Sequence, residues 1–175
     1  MSGHTHLEAK LQRDIQLIRS KLQQMAGLVE SALKDSLKAL FKRNGQLAYA
    51  VILRDQKIDE YEKEIDQLCL EFLVRQQPVA GPLRFVYATI KINLELERIG
   101  DYAESIARRG LVLNSLNLDL NYTDFQAISE TSISMLKNSI KAFLEQDADL
   151  AKTTMLAQRE ANRVRDKIND DLFQL

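Results

Sequence analysis

The sequence contains few of the residues that interrupt helices. It has 6 glycines, 2 prolines and no tryptophan among 175 residues. So few helix breakers, together with 45% hydrophobic and 28% charged residues, are typical of long amphipathic helices. The composition therefore predicts an all-α protein, and the length suits one or two small domains with a sizeable core.

Other scarcities exclude whole classes of protein. The chain has one cysteine, Cys69, whose helical context suggests a small buried apolar residue rather than part of a disulfide framework. Lys and Arg number 24 against 25 Asp and Glu, so we expect no basic surface for nucleic acid. No apolar run is long enough to span a bilayer, and no signal peptide is recognisable. We expect a soluble, cytoplasmic protein.

Hydrophobic residues recur at alternating spacings of three and four along three segments that short turns separate. The first helix is predicted to start at Thr5, with Glu8 at capping-box spacing, and to end at Asn44-Gly45. The second is predicted to end near Pro78, and the third to begin at Pro82. The predicted inward residues of the third helix are Phe85, Thr89, Ile92, Leu96, Ile99, Ala103 and Ile106. Short links between long helices predict an antiparallel three-helix bundle.

The second half of the sequence repeats the first two helices. The segment ALFKRNGQLAYAVILRDQKID, from Ala39, aligns without a gap with AFLEQDADLAKTTMLAQREAN, from Ala142. A fourth helix is predicted to begin at Thr123, where Gln126 gives a capping-box spacing. A fifth is predicted from about Asp149 to the end. The second repeat therefore has only two helices.

This repeat predicts two domains of unequal completeness. Residues 5–112 are predicted to form a three-helix bundle, and residues 122–175 to form a helix hairpin that is an incomplete second repeat. The hairpin is expected to expose an apolar groove where a third helix would lie, and to be marginal alone because it buries too little surface. A second copy of the chain could fill this groove, so we expect a homodimer.

Acidic residues recur at helical spacing on the second and third helices. Residues four apart lie ~5–6 Å from each other on one helix face. Antiparallel packing would let the acids of the two helices face each other, and clustered carboxylates suit hard cations such as Fe, Mn or Mg. The acids are Asp55, Asp59, Glu62 and Asp66 on the second helix and Glu97, Asp101 and Glu104 on the third.

A solvated acidic surface is an alternative interpretation of the same spacing. Lys57, Lys63 and Arg98 are available to pair with these acids. Catalytic chemistry has less support, since His4 and His6 both lie in the N-terminal segment. No Glu-x-x-His motif supplies the ligands of a di-iron bundle enzyme, and neither a nucleophile with a nearby base nor a phosphate-binding loop is recognisable. We predict that the protein is not an enzyme and has no catalytic residues.

Several motifs in combination resemble the PhoU family of bacterial phosphate-uptake regulators. They are LERIGDYAESIARR, QQPVAGPLR and RDQKIDEYEKEID, and the resemblance covers roughly residues 5–111. It implies a fold of two three-helix repeats, in agreement with the internal repeat. It also implies a multinuclear metal cluster of Fe, Mn, Zn or Mg at an acidic motif, with Gly100 as a position where bulk is unwelcome. The implied ligands are Asp55, Asp59, Glu97 and Asp101.

The second repeat departs from this acidic motif. Gln158 and Asn162 align with Asp55 and Asp59, and amides are weaker ligands for hard cations than carboxylates. We therefore expect at most one metal cluster.

The resemblance implies a regulator that acts by binding. The implied role is that of a phosphate-specific transport system accessory protein, which represses phosphate uptake and phosphate-starvation (Pho regulon) signalling. The implied partners are the ATPase of a phosphate ABC transporter and a sensor histidine kinase, with membrane contact only through partners. The alternatives are a metal-free helical scaffold, an accessory domain of a phosphate carrier and, with less support, a di-metal carboxylate enzyme.

Overall fold

The computed structural model describes the backbone of residues 2–116 and 123–173, and the side chains of residues 8–116 and 125–170. Within these ranges the chain forms helices and no strand, which confirms the all-α fold class. Also within them, no helix is both long enough and apolar enough to cross a bilayer. The helices are α1 (Ser2–Phe41), α2 (Gly45–Gln76), α3 (Ala80–Leu116), α4 (Thr123–Glu145) and α5 (Ala148–Phe173).

The first three helices pack around one apolar core in alternating directions. Hydrogen bonds at the two ends of the α1–α2 contact show that these helices are antiparallel. Gln76 Nε2 donates to Asp14 Oδ2 at 2.7 Å near one end, and Arg54 Nη1 donates to Asp35 Oδ2 at 2.8 Å near the other. The most completely buried large side chains include Ile18, Leu22, Met25, Ile58, Ile65 and Leu96.

The turn between α1 and α2 has the same structure as the turn between α4 and α5. Arg43 and Gln146 take the left-handed conformation, with φ of 51° and 58°. The next residue, Asn44 or Asp147, closes a Schellman hydrogen bond of 2.9 Å to the preceding helix. The same residue caps the following helix, because its side chain accepts from the third backbone amide of that helix at 3.0 Å or 2.9 Å. The sequence repeat is therefore a structural repeat.

Two predicted features of α1 are wrong. Thr5 does not cap the helix, because α1 already includes Ser2. At the other end the left-handed residue is Arg43, not Asn44 or Gly45. The Asn44 side chain is engaged with the start of α2, so Asn44 takes the extended backbone of an N-cap, and the residue before it makes the reversal.

The third helix continues to Leu116, past the predicted end of the first repeat. The fourth helix begins at Thr123, as predicted, but the side chain of Thr123 in its predicted capping box lies outside the described side chains. The division into domains 5–112 and 122–175 stays a prediction.

The α3 helix has two apolar faces rather than one. Its buried face carries Val86, Thr89, Asn93, Leu96, Gly100, Ala103, Ala107 and Gly110. The predicted inward row shares three of these positions and misplaces four bulky residues, which are Phe85, Ile92, Ile99 and Ile106. Hydrophobic periodicity favours bulky residues, whereas the close approach of α1 and α2 requires small ones. The bulky residues are instead half-buried on the side of α3 towards α4, where Phe85 stacks on Phe143 at 5.6 Å.

The α4–α5 hairpin covers the bundle only in part. On α1, Arg19 Nη1 donates to the backbone carbonyl oxygen of Leu144 near the end of α4 at 2.6 Å. In the described ranges the backbone of α5 comes within 8 Å, between Cα atoms, of no helix other than α4. An apolar groove with cavities of about 790 and 600 Å³ runs between α3, α4 and α5, as the incomplete repeat predicts. Met155 and Leu156 on α5 are 71% and 61% exposed.

Candidate functional site

The α2–α3 contact brings the acidic residues of the two helices together. Asn93 Nδ2 donates to the backbone carbonyl oxygen of Glu62 at 2.8 Å, and Gly100 lies against Ile58 and Asp55. These contacts set an antiparallel register in which carboxylates from both helices influence one another's ionisation. We call this group the acidic face, and its members are Asp55, Asp59, Glu62, Glu97, Asp101 and Glu104.

Gly100 is a point of close approach between α2 and α3. A Cβ atom at this buried position would lie 3.1 Å from both Cδ1 and Cγ2 of Ile58, and 3.4 Å from Oδ1 of Asp55. A larger residue would therefore have to displace the side chains of Ile58 and Asp55. Glycine within a helix costs about 1 kcal/mol relative to alanine, and close packing explains why it is tolerated here. The predicted packing role of Gly100 is confirmed.

Asp55 is the most perturbed carboxyl group of the acidic face. Its Oδ1 atom is buried and has no hydrogen-bond partner among the described residues. Burial, followed by repulsion from Asp59 and Glu104, raises the pKa of Asp55 from 3.8 to about 6. Burial, followed by repulsion from Asp101 and Asp59, also raises the pKa of Glu97. Among the described residues neither carboxylate has an ion pair or a hydrogen-bond donor, and the charge of Arg98 only partly offsets the causes that raise the pKa of Glu97.

Arg108 pairs with Glu104 of the acidic face, but Lys57 and Arg98 do not pair with it as the solvated-surface interpretation expects. Lys57 pairs with Glu60 at 2.7 Å and Arg98 with Glu95 at 3.0 Å, and neither acid belongs to the face. Across residues 8–116 and 125–170, none of the four predicted metal ligands has a Lys or Arg nitrogen within 4.0 Å. The predicted ligands are therefore carboxylates without ion pairs.

The donor chemistry of the acidic face fits a hard cation, but its present geometry is more open than a bound site. Carboxylate oxygens and one buried, unpartnered oxygen on Asp55 are suitable ligands. Arg108 already binds Glu104, through Nε at 2.9 Å and Nη2 at 2.5 Å, so Glu104 is the less available donor. As the described side chains stand, no three His, Cys, Asp or Glu groups lie close enough to hold one ion. Metal binding would require the ligand side chains to turn towards each other.

The second repeat has no equivalent acidic face in its described part. Gln158 and Asn162 occupy the positions of Asp55 and Asp59, and both line the apolar groove. Neither position supplies a carboxylate, so the oxygen-rich site is confined to α2 and α3.

Asn93 is a residue of the site that sequence reasoning missed. It is 2% exposed, it joins α3 to the backbone of α2 at Glu62, and its Oδ1 atom has no partner in the described ranges. It thereby fixes the register that brings the acids together. A signal was present, because Asn93 lies four residues after Thr89 and three before Leu96, both predicted inward residues.

Comparison with known proteins identifies the class to which this bundle belongs. The pattern that defines the PhoU domain matches residues 22–110. The chain belongs to the PhoU family, which confirms the resemblance drawn from its motifs.

Named relatives match most of this chain. It is 35% identical over 147 residues to the phosphate-specific transport system accessory protein PhoU homolog of Pseudomonas putida, which covers 83% of this chain and 57% of that protein. It is 34% identical over 146 residues to the phosphate-specific transport system accessory protein PhoU of Serratia marcescens, which covers 83% and 60%. The chain thus spans about three fifths of the length of these curated relatives.

Solved structures share the fold. The crystal structure of PhoU from Pseudomonas aeruginosa has a TM-score of 0.90 at 31% identity, over 93% of this chain and 78% of that one. The phosphate transport system regulatory protein PhoU of Streptococcus pneumoniae has a TM-score of 0.86 at 22% identity, over 94% and 78%. The second likeness supports the fold alone.

Proposed function

We propose that this chain is an accessory regulator of phosphate-specific transport, which represses phosphate uptake and Pho regulon signalling when phosphate is plentiful. The observation that carries this proposal is the match of 83% of the chain to relatives named as phosphate-specific transport system accessory proteins. We place its action in binding rather than catalysis. Its partners in this proposal are the ATPase of a phosphate ABC transporter and a sensor histidine kinase, which it meets in the cytoplasm.

We further propose that the acidic face is the regulatory surface and that it holds metal. Asp55, Asp59, Glu97 and Asp101 would supply the ligands. A bound cation would neutralise the carboxylates whose pKa values burial and repulsion raise. The charge of this face would then depend on metal occupancy, and the affinity for a charged partner would change with it.

A deletion strain of the bacterium that carries the gene tests the regulatory role. In phosphate-rich medium we expect the deletion to raise expression of a phosphate-starvation reporter, and the native gene to restore repression. Unchanged reporter expression in the deletion strain would refute the proposal. A two-hybrid assay against the transporter ATPase and the histidine kinase tests the partners, and absence of both interactions would argue against binding-based regulation.

A matched pair of double variants tests the metal site. Asp59→Asn/Glu97→Gln removes two carboxylates of the acidic face, whereas Glu60→Gln/Glu95→Gln removes two exposed acids that pair with Lys57 and Arg98. Elemental analysis by plasma mass spectrometry should find stoichiometric metal in the native and control proteins and little in the first variant. The same metal content in all three would place the metal elsewhere.

A metal-free scaffold is the second candidate, and the open geometry of the acids favours it. In that case elemental analysis would find no metal in the native protein, and Asp59→Asn/Glu97→Gln would leave partner binding unchanged. Removing mutual repulsion would also make the variant slightly more stable. Reporter repression, partner binding and metal content thus separate the two candidates.

We also propose that the chain forms a homodimer through the groove between α3, α4 and α5. The groove is lined mainly by apolar side chains, and Gln158 and Asn162 stand in it where the first repeat has acids. The charged residues along it are Arg84, Lys91, Glu95, Asp147 and Arg165, and a partner copy would have to pair with them or leave them in water. Sedimentation equilibrium should give twice the chain mass. Met155→Lys should shift it towards the monomer, and a native monomer would refute the dimer.

A further inference from the structure

The turn end of the α2–α3 hairpin carries an exposed apolar patch. Val74 and Val79 are each 76% exposed, Tyr87 is 64%, Leu70 is 53% and Leu83 is 43%. We call these five residues the turn patch. Large apolar residues scattered singly over a surface need no explanation, but a contiguous group marks an interaction site.

The register of α2 and α3 makes the patch contiguous. The two patch residues of each helix are four positions apart, so each pair lies on one face of its helix. The Asn93–Glu62 hydrogen bond fixes how the helices align. Because the helices are antiparallel, eight residues after Glu62 on α2 lie level with eight residues before Asn93 on α3. Leu70 is therefore level with residue 85, which lies between Leu83 and Tyr87. The two pairs therefore lie at the same level of the α2–α3 contact, and Val79 follows at the turn.

Two cations of α3 that also line the groove between α3, α4 and α5 lie close to the turn patch in sequence. Arg84 and Lys91 are exposed, and neither has a carboxylate within 4.0 Å in the described part of the chain. Lys91 Nζ lies 5.8 Å from the centre of the Tyr87 ring, which places one of these charges directly at the patch. The acid nearest on α2, Glu71, is paired with Arg75 at 3.1 Å. The surface is therefore apolar with a positive margin.

The size of the patch favours a lipid surface over a protein partner. A specific protein interface engages roughly 20–30 residues on each side, far more than these five apolar side chains and two cations. An anionic bilayer requires no matching shape, because apolar side chains enter the headgroup boundary while Lys and Arg contact lipid phosphates. Tyrosine is also enriched at this boundary.

The acidic face does not prevent such contact at the turn. Glu62, its member nearest to the turn, lies 8 residues before Leu70 and 17 residues before Val79. At ~1.5 Å per helical residue, these separations are roughly 12 and 25 Å. Electrostatic screening in physiological salt acts over about 8 Å, so repulsion between the acidic face and an anionic surface at the turn is weak.

We propose that the turn patch, together with Arg84 and Lys91, docks this protein directly on an anionic lipid bilayer. The contact is peripheral and uses the hairpin end rather than a spanning helix. It goes beyond the proposed function, in which the protein reaches the membrane only through partner proteins. It requires neither the acidic face nor metal.

Flotation with lipid vesicles, without any protein partner, tests the proposal. The native protein should float with phosphatidylcholine vesicles that contain phosphatidylglycerol and remain behind with pure phosphatidylcholine. Val74→Ser/Val79→Ser should reduce flotation to background. Arg84→Gln/Lys91→Gln should lower the partition coefficient roughly thirtyfold, given the usual contribution of each cation near an anionic surface.

Matched controls lie at the other end of the bundle. Tyr49→Ser/Leu53→Ser removes two side chains of similar exposure, 61% and 78%, near the start of α2. Lys38→Gln/Lys42→Gln removes two exposed cations near the end of α1. Both should float like the native protein, and circular dichroism should show all variants fully helical.

Three results would overturn the proposal. The first is a native protein that does not float with the anionic vesicles. The second is an equal loss of flotation in the control variants, which would point to non-specific adsorption. The third is a native dimer, by light scattering, that Val74→Ser/Val79→Ser converts to a monomer, which would make the turn patch a protein interface.

Discussion

The same helix–turn–helix unit occurs twice in this chain, closed by a third helix in one case and open in the other. The α1–α2 and α4–α5 turns match hydrogen bond for hydrogen bond, so local chemistry does not distinguish them. What differs is α3, which packs against α2 and has no counterpart against α5 within 123–173. Turn geometry is thus local information, whereas stability depends on the partner that covers the apolar side.

The two copies also differ in side-chain chemistry on that side. In the first copy the buried Ile58 meets Gly100, and Asp55 and Asp59 meet acids of α3. In the second copy, Gln158 and Asn162 face an open groove. The second helix of a copy therefore carries carboxylates at these positions in the copy whose third helix, α3, also carries them. This pattern supports a shared site on α2 and α3 over a general preference for acids on the repeat.

The largest expected difference between the two regions concerns core truncation. Leu22→Ala removes a side chain that is 0% exposed in the three-helix core. It should lower the free energy of unfolding by about 2–5 kcal/mol, because it loses buried surface and leaves a cavity. Leu156→Ala makes the same chemical change on α5, at a side chain that is 61% exposed, and should change stability by less than about 0.5 kcal/mol.

Urea denaturation followed by circular dichroism measures both variants. Similar losses in the two would mean that α5 is covered as fully as α1, and would remove the contrast between the regions.

Periodicity and turn chemistry predicted much of the fold. The break predicted at Pro78 falls between α2 and α3, and α4 begins at Thr123 as predicted. The row on α3 was predicted less well. Hydrophobicity predicts the bulky Ile92 and Ile99 as inward residues. In the structure the buried face of α3 instead carries small residues, among them Gly100. Only the inter-helix distance, a tertiary property, reveals which of two apolar faces is inside.

The candidate site was predictable in composition but not in detail. Spacing on each helix identified the acids that the structure brings together, since residues four apart share a face. The burial of one oxygen of Asp55 and the pairing of Arg98 with Glu95 depend on side-chain rotamers and on the exact register. Asn93 sets that register, and a single asparagine in an apolar row does not reveal its partner.

Substitution of glycines tests how tightly α2 and α3 pack against each other. Gly100→Ala adds a Cβ atom 3.1 Å from Cδ1 and Cγ2 of Ile58, so the buried Ile58 side chain must move by a few tenths of an ångström. The expected loss of stability is about 1–3 kcal/mol, despite the better helix propensity of alanine. Gly27→Ala lies on an open surface of α1 with no atom within 4 Å of the added carbon, and should stabilise the protein by up to about 1 kcal/mol. Thermal unfolding of both variants measures these opposite signs, and a stabilising Gly100→Ala would refute close packing.

The attachment of the hairpin to the bundle should depend on Arg19. Its Nη1 atom donates to the carbonyl oxygen of Leu144, and its guanidinium lies 5.0 Å from the centre of the Phe85 ring, which stacks on Phe143. Arg19→Ala should weaken the local stability of α4 and α5 by about 1.5 kcal/mol, because a charge-assisted hydrogen bond is lost. Amide hydrogen exchange in these two helices should accelerate roughly tenfold.

The neighbouring arginine gives the control for this experiment. Arg13 on the same helix is exposed, and its hydrogen bond among the described residues is to the carbonyl oxygen of Ala9, within α1. Arg13→Ala should leave exchange in α4 and α5 unchanged. Uniform acceleration over all five helices in Arg19→Ala would mean that the hairpin and the bundle unfold as one unit.

The smallest expected effect is a pH dependence of stability that arises only in the first repeat, where α3 covers α2. The pKa of Asp55 is about 6 in the folded state and 3.8 ordinarily, so the folded state binds its proton more tightly. This contribution to stability is complete below about pH 3.8 and is lost as the pH rises through about 6. Since Asp55 is partly solvent-exposed, screening reduces the expected loss to about 1 kcal/mol.

Urea titrations from pH 4 to 7.5 in the presence of a chelator measure this loss. In Asp55→Asn, the decrease in the free energy of unfolding with rising pH should be smaller by the contribution of Asp55. The variant should also be more stable than the native protein near pH 7. Gln158→Asp places an acid at the equivalent position of α5, where the side chain is exposed beside the open groove. It should add no further slope, because neither burial nor a facing row of acids raises the pKa of a carboxyl group there. A slope in Gln158→Asp equal to that of Asp55 would show that the pH dependence follows from the repeat itself rather than from its closure by α3.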